Sequence, residues 1–392
     1  MPKSQSPRCD IIINNFNYAR FLKKAVDSAL RQTWPNTRVI VVDDGSTDES
    51  GEIVKRYKND ITAVLKSNGG QGSSYNAGWA ESRGDLVCFL DSDDTLFPNA
   101  METAVSLFED PQVVKVQWPL HVVDSSGEWH GELSTHVTPP EGDLKERVAV
   151  DGPLYDFHFT TGAAYRADFL SRVFPMPEPE YRNGGDVYLI TLAPVYGRIR
   201  TATQALGTYR AHGQNNYRQR RLDEHRIKNY MQRFEDNSRA LADHLARQNI
   251  HAAIGQWKRR NFNYVWLDRL LLAKQDLAAL VLPGESYILV NGDEWGDPQP
   301  VEDRRAVPFL ERDGAYWGPP ADDVAAIDEV ERLRRQGASC IVFWWTCFWW
   351  LEHYSQFSRY LQSRFARPLD NDRLIAFDLT IPQGASCNEK PR

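Results

Sequence analysis

Long apolar runs are missing from this chain of 392 residues. The Trp-rich run Phe343-Trp344-Trp345-Thr346-Cys347-Phe348-Trp349-Trp350 falls far short of the roughly twenty residues that cross a bilayer, so it is not a membrane span. Cysteine is scarce. The five (Cys9, Cys88, Cys340, Cys347, Cys387) are an odd number without zinc-site spacing. That excludes a disulfide framework and points to a reducing compartment; Cys88, inside an apolar run, reads as a buried thiol. Positive charge is not in excess. A net charge of −7 argues against nucleic acid as the main partner, because phosphate binding needs a basic face. Met1 to Arg8 lacks the apolar core of a signal peptide. The expected location is therefore cytoplasmic, with peripheral attachment at the inner face of a membrane as the alternative. A hydrophobic content of 42% at this length leaves room for two or three domains.

What is present is acid at the ends of apolar runs. Val87-Cys88-Phe89-Leu90 reads as a buried strand and delivers Asp91-Ser92-Asp93-Asp94 at its end. Several carboxylates there are costly unless something positive joins them. Mg²⁺ or Mn²⁺ is the usual choice, since hard cations take oxygen ligands and bridge carboxylates to phosphates. Upstream, Asp10-Ile11-Ile12-Ile13 is a strand and Phe21 to Leu30 has helical spacing. Arg38 to Val42 is a second strand, ending in Asp43-Asp44-Gly45-Ser46-Thr47-Asp48. Ser46 and Glu49 have capping-box spacing, which predicts a helix from about Thr47 burying Ile53, Val54 and Tyr57. Ala63 to Leu65 is a third strand, Asn68 to Gly72 a loop, and Asn76 to Arg83 a helix. Alternating strands and helices predict a parallel sheet covered on both faces. Ligands of such sheets bind beyond the strands' carboxyl ends, where both acidic clusters fall.

Residues 9–108 resemble the nucleotide-sugar-binding half of GT-A glycosyltransferases, specifically the inverting family 2, and the likeness continues thinly to about residue 216. It is carried by Ile11-Ile12-Ile13-Asn14-Asn15-Phe16-Asn17-Tyr18, Asp43 to Asp48, Asn68-Gly69-Gly70-Gln71, Asn76-Ala77-Gly78 and Leu90 to Asp94. The implied fold is α/β: a Rossmann-like, mostly parallel sheet with helices on both faces. The implied donor contacts are Asn14, Asn17, Asp43, Asp44, Asn68, Asn76, Asp91 and Ser92, with Asp44 on the base and Asp91 on the ribose. The implied metal ligand is Asp93; Asp94 either shares that role or caps the next helix. The chain departs from the family at its opening loop, usually Pro-Thr-Tyr-Asn-like, and at Tyr75, where many relatives have Arg.

Farther on, Thr160 to Arg166 resembles the family's strand beside the sugar. Relatives commonly carry Glu-Asp where this chain has Gly185-Asp186, and that Asp is the general base. Asp186 is thus read as the base, with capping of the helix Val187 to Tyr196 as the plainer role; the two are compatible. Tyr209-Arg210-Ala211-His212-Gly213-Gln214-Asn215 matches next, and His212 is either a third metal ligand or a structural residue.

The chain divides, on this reading, into 1–216 (catalytic), 217–283 (helical connector), 284–380 (a small α/β module seen in some bacterial glycosyltransferases) and 381–392 (disordered tail). In the connector, Ile227, Tyr230, Met231 and Phe234 mark a helix face. In the module, strands are expected at Tyr287–Val290, Ser339–Trp344 and Leu374–Phe377. A helix there aligns Val324, Ile327, Val330 and Leu333, and another spans Trp350–Phe365. The Trp-rich run is a core strand entering an aromatic corner, or else an interfacial anchor, a sugar platform or a subunit contact. The expected partners are a nucleotide-diphosphate sugar and a hydroxyl acceptor (glycan, lipid-linked or other), with a divalent metal, Mn²⁺ or Mg²⁺, as cofactor. Peripheral membrane contact and a homo-oligomer are further options. Two other functions compete: a sugar-1-phosphate nucleotidyltransferase, whose Gly-rich opening loop is absent here, and a non-catalytic binding protein.

Overall fold

The computed structural model describes residues 6–135, 138–154, 160–213, 224–292 and 299–382, and the statements below concern these. The chain forms two compact units: Met1–Gln219 with Arg233–Asn261, and Arg220–Gln232 with Phe262–Arg392. The stretch expected as a connector is therefore divided between them.

In the first unit, strands β1 (Cys9–Asn15), β2 (Thr37–Asp43), β3 (Thr62–Leu65), β4 (Leu86–Asp91), β5 (Thr95–Leu96), β6 (Val113–Gln117), β7 (His121–Val123), β8 (Trp129–Leu133), β9 (Ala163–Arg166), β10 (Arg198–Thr201) and β11 (Gly207–Arg210) make two sheets. The larger has the order β10-β6-β9-β4-β1-β2-β3 and the smaller β5-β11-β7-β8. The pairs β1–β2, β1–β4, β2–β3 and β10–β6 are parallel, while β9 runs antiparallel to both β4 and β6. Successive residues of the central strands enter opposite cores. Ile11, Ile13, Val39, Val41, Cys88 and Leu90 face one side, and Ile12, Ile40, Val42, Val87 and Phe89 the other. This is the pattern of a sheet buried on both faces, and it explains the unbroken apolar runs.

Helices α1 (Ala19–Leu30), α2 (Ser50–Arg56), α3 (Gln71–Glu81), α4 (Ala100–Leu107), α5 (Lys145–Asp151), α6 (Ala167–Val173) and α7 (Gly185–Tyr196) belong to this unit. α1 and α4 cover the first face, and α3, α6 and α7 the second. α2 starts three residues later than the capping box predicts, because the Ser46 hydroxyl is already committed to Asp43, Asn15 and Asn17. Val54 is buried there, with Ile53 and Tyr57 partly so. α8 (Glu224–Arg247) buries Ile227 and Phe234 but exposes Tyr230, and α9 (Ile254–Arg260) buries Trp257.

The second unit carries α10 (Phe262–Leu280) and the strands β12 (Ser286–Val290), β13 (Arg305–Pro308), β14 (Glu311–Arg312), β15 (Ala315–Tyr316), β16 (Ala338–Trp344), β17 (Phe365–Asp370) and β18 (Leu374–Pro382). Its main sheet has the order β13-β12-β16-β18-β17. α11 (Asp323–Arg335) is N-capped by Asp322, whose carboxylate accepts from the Ala325 N–H at 2.8 Å. It buries Ala326, Val330 and Leu333, a row at i, i+4, i+7, whereas Val324 is exposed, contrary to the expected face. The Trp-rich run does enter an aromatic corner. Trp344 ends β16, and after a 3₁₀ turn Trp350 is buried in α12 (Trp349–His353). The helix expected from Trp350 to Phe365 is broken at Tyr354 into α12 and α13 (Ser355–Arg364), because Tyr354 anchors its hydroxyl on the Pro320 carbonyl at 2.7 Å. Cys9, Cys88, Cys340 and Cys347 are buried thiols. Cys387 and the tail beyond Pro382 lie outside the described residues. No described helix is long and apolar enough to cross a membrane.

In α8 the His244 ring is buried, its Nδ1 2.6 Å from the Tyr196 hydroxyl. Burial, and then the Arg247 charge, push its pKa from 6.5 down to about 4. The unfolded chain therefore binds a proton below about pH 6.5 that the native ring refuses until about pH 4. Stability present above pH 6.5 is lost as pH falls through that window, by at most about 3 kcal/mol. Urea midpoints at pH 7.5 and 5 should show a smaller drop in His244→Gln than in the parent; equal drops would contradict this.

Candidate functional site

Register brings the acidic ends together. Asn14 lies beside Val42 on β2 and Asp91 on β4, and Asn15 beside Asp43. The two clusters, far apart in sequence, thus share one rim at the carboxyl ends of β1, β2 and β4.

On the β4 side the acids differ in how fully their oxygens are engaged. Asp94 is buried and saturated. Its Oδ2 accepts from the Thr161 hydroxyl at 2.7 Å and its Oδ1 from the Arg210 N–H at 2.8 Å. It fastens β4 to β11 and to the turn before β9, and neither oxygen is turned to a ligand. Asp93 is less enclosed: its Oδ2 meets His212 Nε2 at 2.9 Å. The His212 ring has no exposed side-chain surface and is wedged against Tyr18 and Phe21, with ring centroids 5.5 and 5.2 Å away. Asp91 accepts from Asn14 Nδ2 at 3.1 Å, while Asn14 Oδ1 is buried without a hydrogen-bond partner. Burial, then the charges of Asp93 and Asp186, push the Asp91 carboxyl up to about 7. The same causes, burial first and then Asp93 and Asp91, hold Asp94 well above the carboxylate range. Tyr18 is pushed up to about 12 by burial and by the same acids. Ser92 is buried between them.

Arg210 ties this corner to its surroundings. Its guanidinium donates to the Asp93 carbonyl at 2.9 Å and to the Asp124 carbonyl at 3.2 Å, and lies 4.9 Å from the Phe21 ring centroid. Among the described residues no three His, Cys, Asp or Glu side chains are grouped to hold a metal ion. Asp93 and His212 offer two ligand atoms. That donor set fits a divalent cation that brings phosphate oxygens as its remaining ligands.

On the β2 side, Asp44 is buried and fully occupied. It pairs with Lys66 Nζ at 2.5 Å and accepts from Asn68 Nδ2 at 3.1 Å, the Gly69 N–H at 2.9 Å and the Gly70 N–H at 2.7 Å. Its neighbour Asp43 accepts from Asn15 at 3.3 Å. Asn17, at φ +59°, accepts from the Thr47 N–H at 2.7 Å. Asn76 is placed elsewhere: its amide clasps the Met176 backbone and Glu178.

The loop anchored by Asp44 also positions Asp186. The Gln71 and Gly72 N–H groups donate to the Arg182 and Tyr181 carbonyls at 2.7 and 3.0 Å. A Cβ on Gly70 would collide with the Arg182 carbonyl, and Gly70 has φ +88°, so only glycine permits this approach. Gln71 Oε1 accepts from both the Gly184 and Gly185 N–H groups at 2.9 Å and so satisfies the start of α7. Asp186 follows in the first turn, bonded to Thr160 and to the Val187 N–H, with the Arg233 charge nearby. Burial outweighs these and raises its pKa.

The two departures from the family pattern touch each other. A Cβ on Gly185 would lie 3.3 Å from Tyr75 Cδ2, and Tyr75 is fully buried, stacked on Phe89 at 4.2 Å. Aromatic packing against a glycine thus occupies the place where relatives commonly have Arg and Glu. Thr161, Gln71 and Lys115 were given no role by sequence reasoning. Thr161 and Gln71 lie within elements that carry the family likeness, and Lys115 left its own signal, a lysine within a run of valines.

Asp44→Ala takes the buried carboxylate from a half-buried lysine and three N–H donors, so it should cost about 3 kcal/mol in urea unfolding. Asp93→Ala, losing one histidine contact, should change stability by less than about 1 kcal/mol. The reverse order would show that Asp44, not Asp93, is the ligand-facing acid.

The sequence matches the family Glycosyl transferase family 2 over residues 10–174. An uncharacterised glycosyltransferase of Nostoc sp. is 34% identical over 214 residues, 54% of this chain and 66% of that protein. One of Rickettsia prowazekii is 40% identical over 102 residues, 26% of this chain and 32% of that protein. The chain thus spans just under two thirds of the first relative and about a third of the second. Among solved structures, S. aureus TarS 1–349 is similar at 19% identity and a TM-score of 0.47, over 66% of this chain and 70% of that one. Residues 10–174, which hold both acidic strand ends of the rim, are thus the part of the chain that matches glycosyl transferase family 2.

Proposed function

We propose that this protein is a metal-dependent inverting glycosyltransferase that moves a sugar from a nucleotide-diphosphate sugar, UDP-sugar by the family's habit, to a hydroxyl of a glycan, lipid-linked or other acceptor. Bacterial surface polysaccharide synthesis is the setting this chemistry fits. One observation carries the reading: Asp91, Asp93 and Asp186 converge on one rim, where burial and mutual charge raise Asp91 and burial raises Asp186. Such a site is electrostatically incomplete without a cation.

Asp93 and His212 would hold the cation, with Asn14 and Asp91 beside it for donor hydroxyls. A bound Mg²⁺ or Mn²⁺ would neutralise the charge that grows on the departing nucleoside diphosphate. Asp186 takes the proton of the acceptor hydroxyl as that oxygen attacks the anomeric carbon. The bond to the diphosphate oxygen breaks on the opposite face, which inverts the configuration, and the proton remains on Asp186. Its raised pKa makes it a stronger base than a solvated aspartate. The acid limb of activity should accordingly lie above the ordinary carboxylate range.

Asp186→Asn should lose about 10²-fold or more in turnover. Its affinity for a UDP-sugar with Mn²⁺, measured by calorimetry, should stay within about two-fold of the parent's, because the substitution keeps the shape of the site. Unchanged turnover would remove Asp186 as the base. Donor binding in a parent without turnover would favour a binding protein.

A further inference from the structure

Close to the start of α7 lies a lysine that the core does not require. Lys115, the third residue of β6, is wholly buried between valines. Its Nζ donates to Gln117 Oε1 at 2.9 Å, and Gln117 in turn donates to the Pro140 carbonyl and the Thr201 hydroxyl, both at 3.2 Å. Lys115 stands opposite Tyr165 on β9, and residues directly opposite share a face of the sheet. Tyr165 belongs to the same buried cluster as Tyr75 of α3 and Leu189 and Leu192 of α7, so that face is the one α7 covers.

Asp186 opens α7, and the groups that feel its charge come from every side. They are Lys115 on β6, Tyr165 on β9, Tyr75 on α3 and Asp91 on β4; Arg233 on α8 acts on Asp186 in return. Within this ring Lys115 is the cation contributed by the sheet, and Asp186 is the acid whose charge acts on it. A methionine would fill the same volume without desolvating an ammonium group.

We propose that Lys115 is a positioning residue for glycosyl transfer: its ammonium is a counter-charge beneath α7 that keeps Asp186 ionised, and so basic. The inference rests on the reading of Asp186 as the base. Burial lowers the Lys115 pKa to about 7, and the Asp186 charge opposes that shift. The ammonium is therefore present below neutrality, where Asp186 is most prone to protonation. Without it, burial acts on Asp186 less opposed, and its carboxyl rises further.

The direct test follows the Asp186 carboxyl by ¹³C NMR in aspartate-labelled full-length protein, the signal being identified by its loss in Asp186→Asn. Lys115→Met should raise the midpoint by about one pH unit or more, whereas Lys115→Arg should leave it within roughly 0.3. The acid limb of kcat/KM should move by the same amount, with donor affinity unchanged. Combined with Asp186→Asn, Lys115→Met should cost less than about two-fold further, because the two act through one group. An unmoved midpoint, or an equal loss of turnover with and without Asp186, would overturn the proposal. If Lys115→Met does not fold, Lys115→Gln is read by the same criteria. A moved midpoint in a parent that turns over no donor would overturn the transferase role while leaving the electrostatic link intact.

Discussion

Carboxylates crowded at the ends of buried strands are the constraint on which the rest of this molecule depends. A parallel sheet covered on both faces exposes its chemistry only at the strand ends. Here that rim holds Asp43, Asp44, Asp91, Asp93 and Asp94, with Asp186 brought in from α7. Burying so much like charge is tolerable only if each acid is hydrogen-bonded, protonated or joined by a cation. The acids divide along these lines. Asp44 and Asp94 are saturated by donors from the protein and act as fasteners. Asp91 and Asp186 retain a strong electrostatic demand, and Asp93 meets a histidine alone among the described side chains. The engagement of each carboxylate, more than its position in a motif, separates framework from chemistry.

The fasteners link the two halves of the site. Asp44 gathers the Lys66–Gly70 loop, and that loop lies on the Tyr181–Arg182 backbone while Gln71 satisfies the start of α7. A continuous path of hydrogen bonds thus runs from the end of β2 to the turn that carries Asp186. Asp94 does the same on the other side, tying β4 to β11 and hence to His212. Donor rim and base are held by a chain of hydrogen bonds, of which those to Asp44 are charge-assisted, the kind that fix geometry best.

Much of this was legible in the sequence. The strands β1, β2 and β4 announced themselves as apolar runs because both their faces are buried, and their acidic ends followed from simple counting. The role of Asp44 was less visible. Its partners Lys66, Asn68, Gly69 and Gly70 stand 22 to 26 residues later, and only loop closure brings them in. Ser46 looked like a helix cap because local spacing cannot reveal that its hydroxyl is wanted by Asp43 and Asn17. Val324 looked like a core residue because a periodic row does not say which of its members reaches the sheet. Tyr75 and Gly185 appeared as unrelated departures from a family pattern; contact across α3 and α7 shows them to be one packing solution.

The central claim is that the rim is completed by a cation arriving with a diphosphate. It is tested most directly by titrating Mn²⁺ into the protein, alone and with saturating UDP, by calorimetry or electron paramagnetic resonance. Two protein ligands predict weak binding of Mn²⁺ alone, tightened by about ten-fold or more when phosphate oxygens complete the shell, with equal reciprocal tightening of UDP by Mn²⁺. Both effects should vanish in Asp93→Ala. Tight Mn²⁺ binding that ignores UDP, or UDP binding that ignores Mn²⁺, would contradict the account.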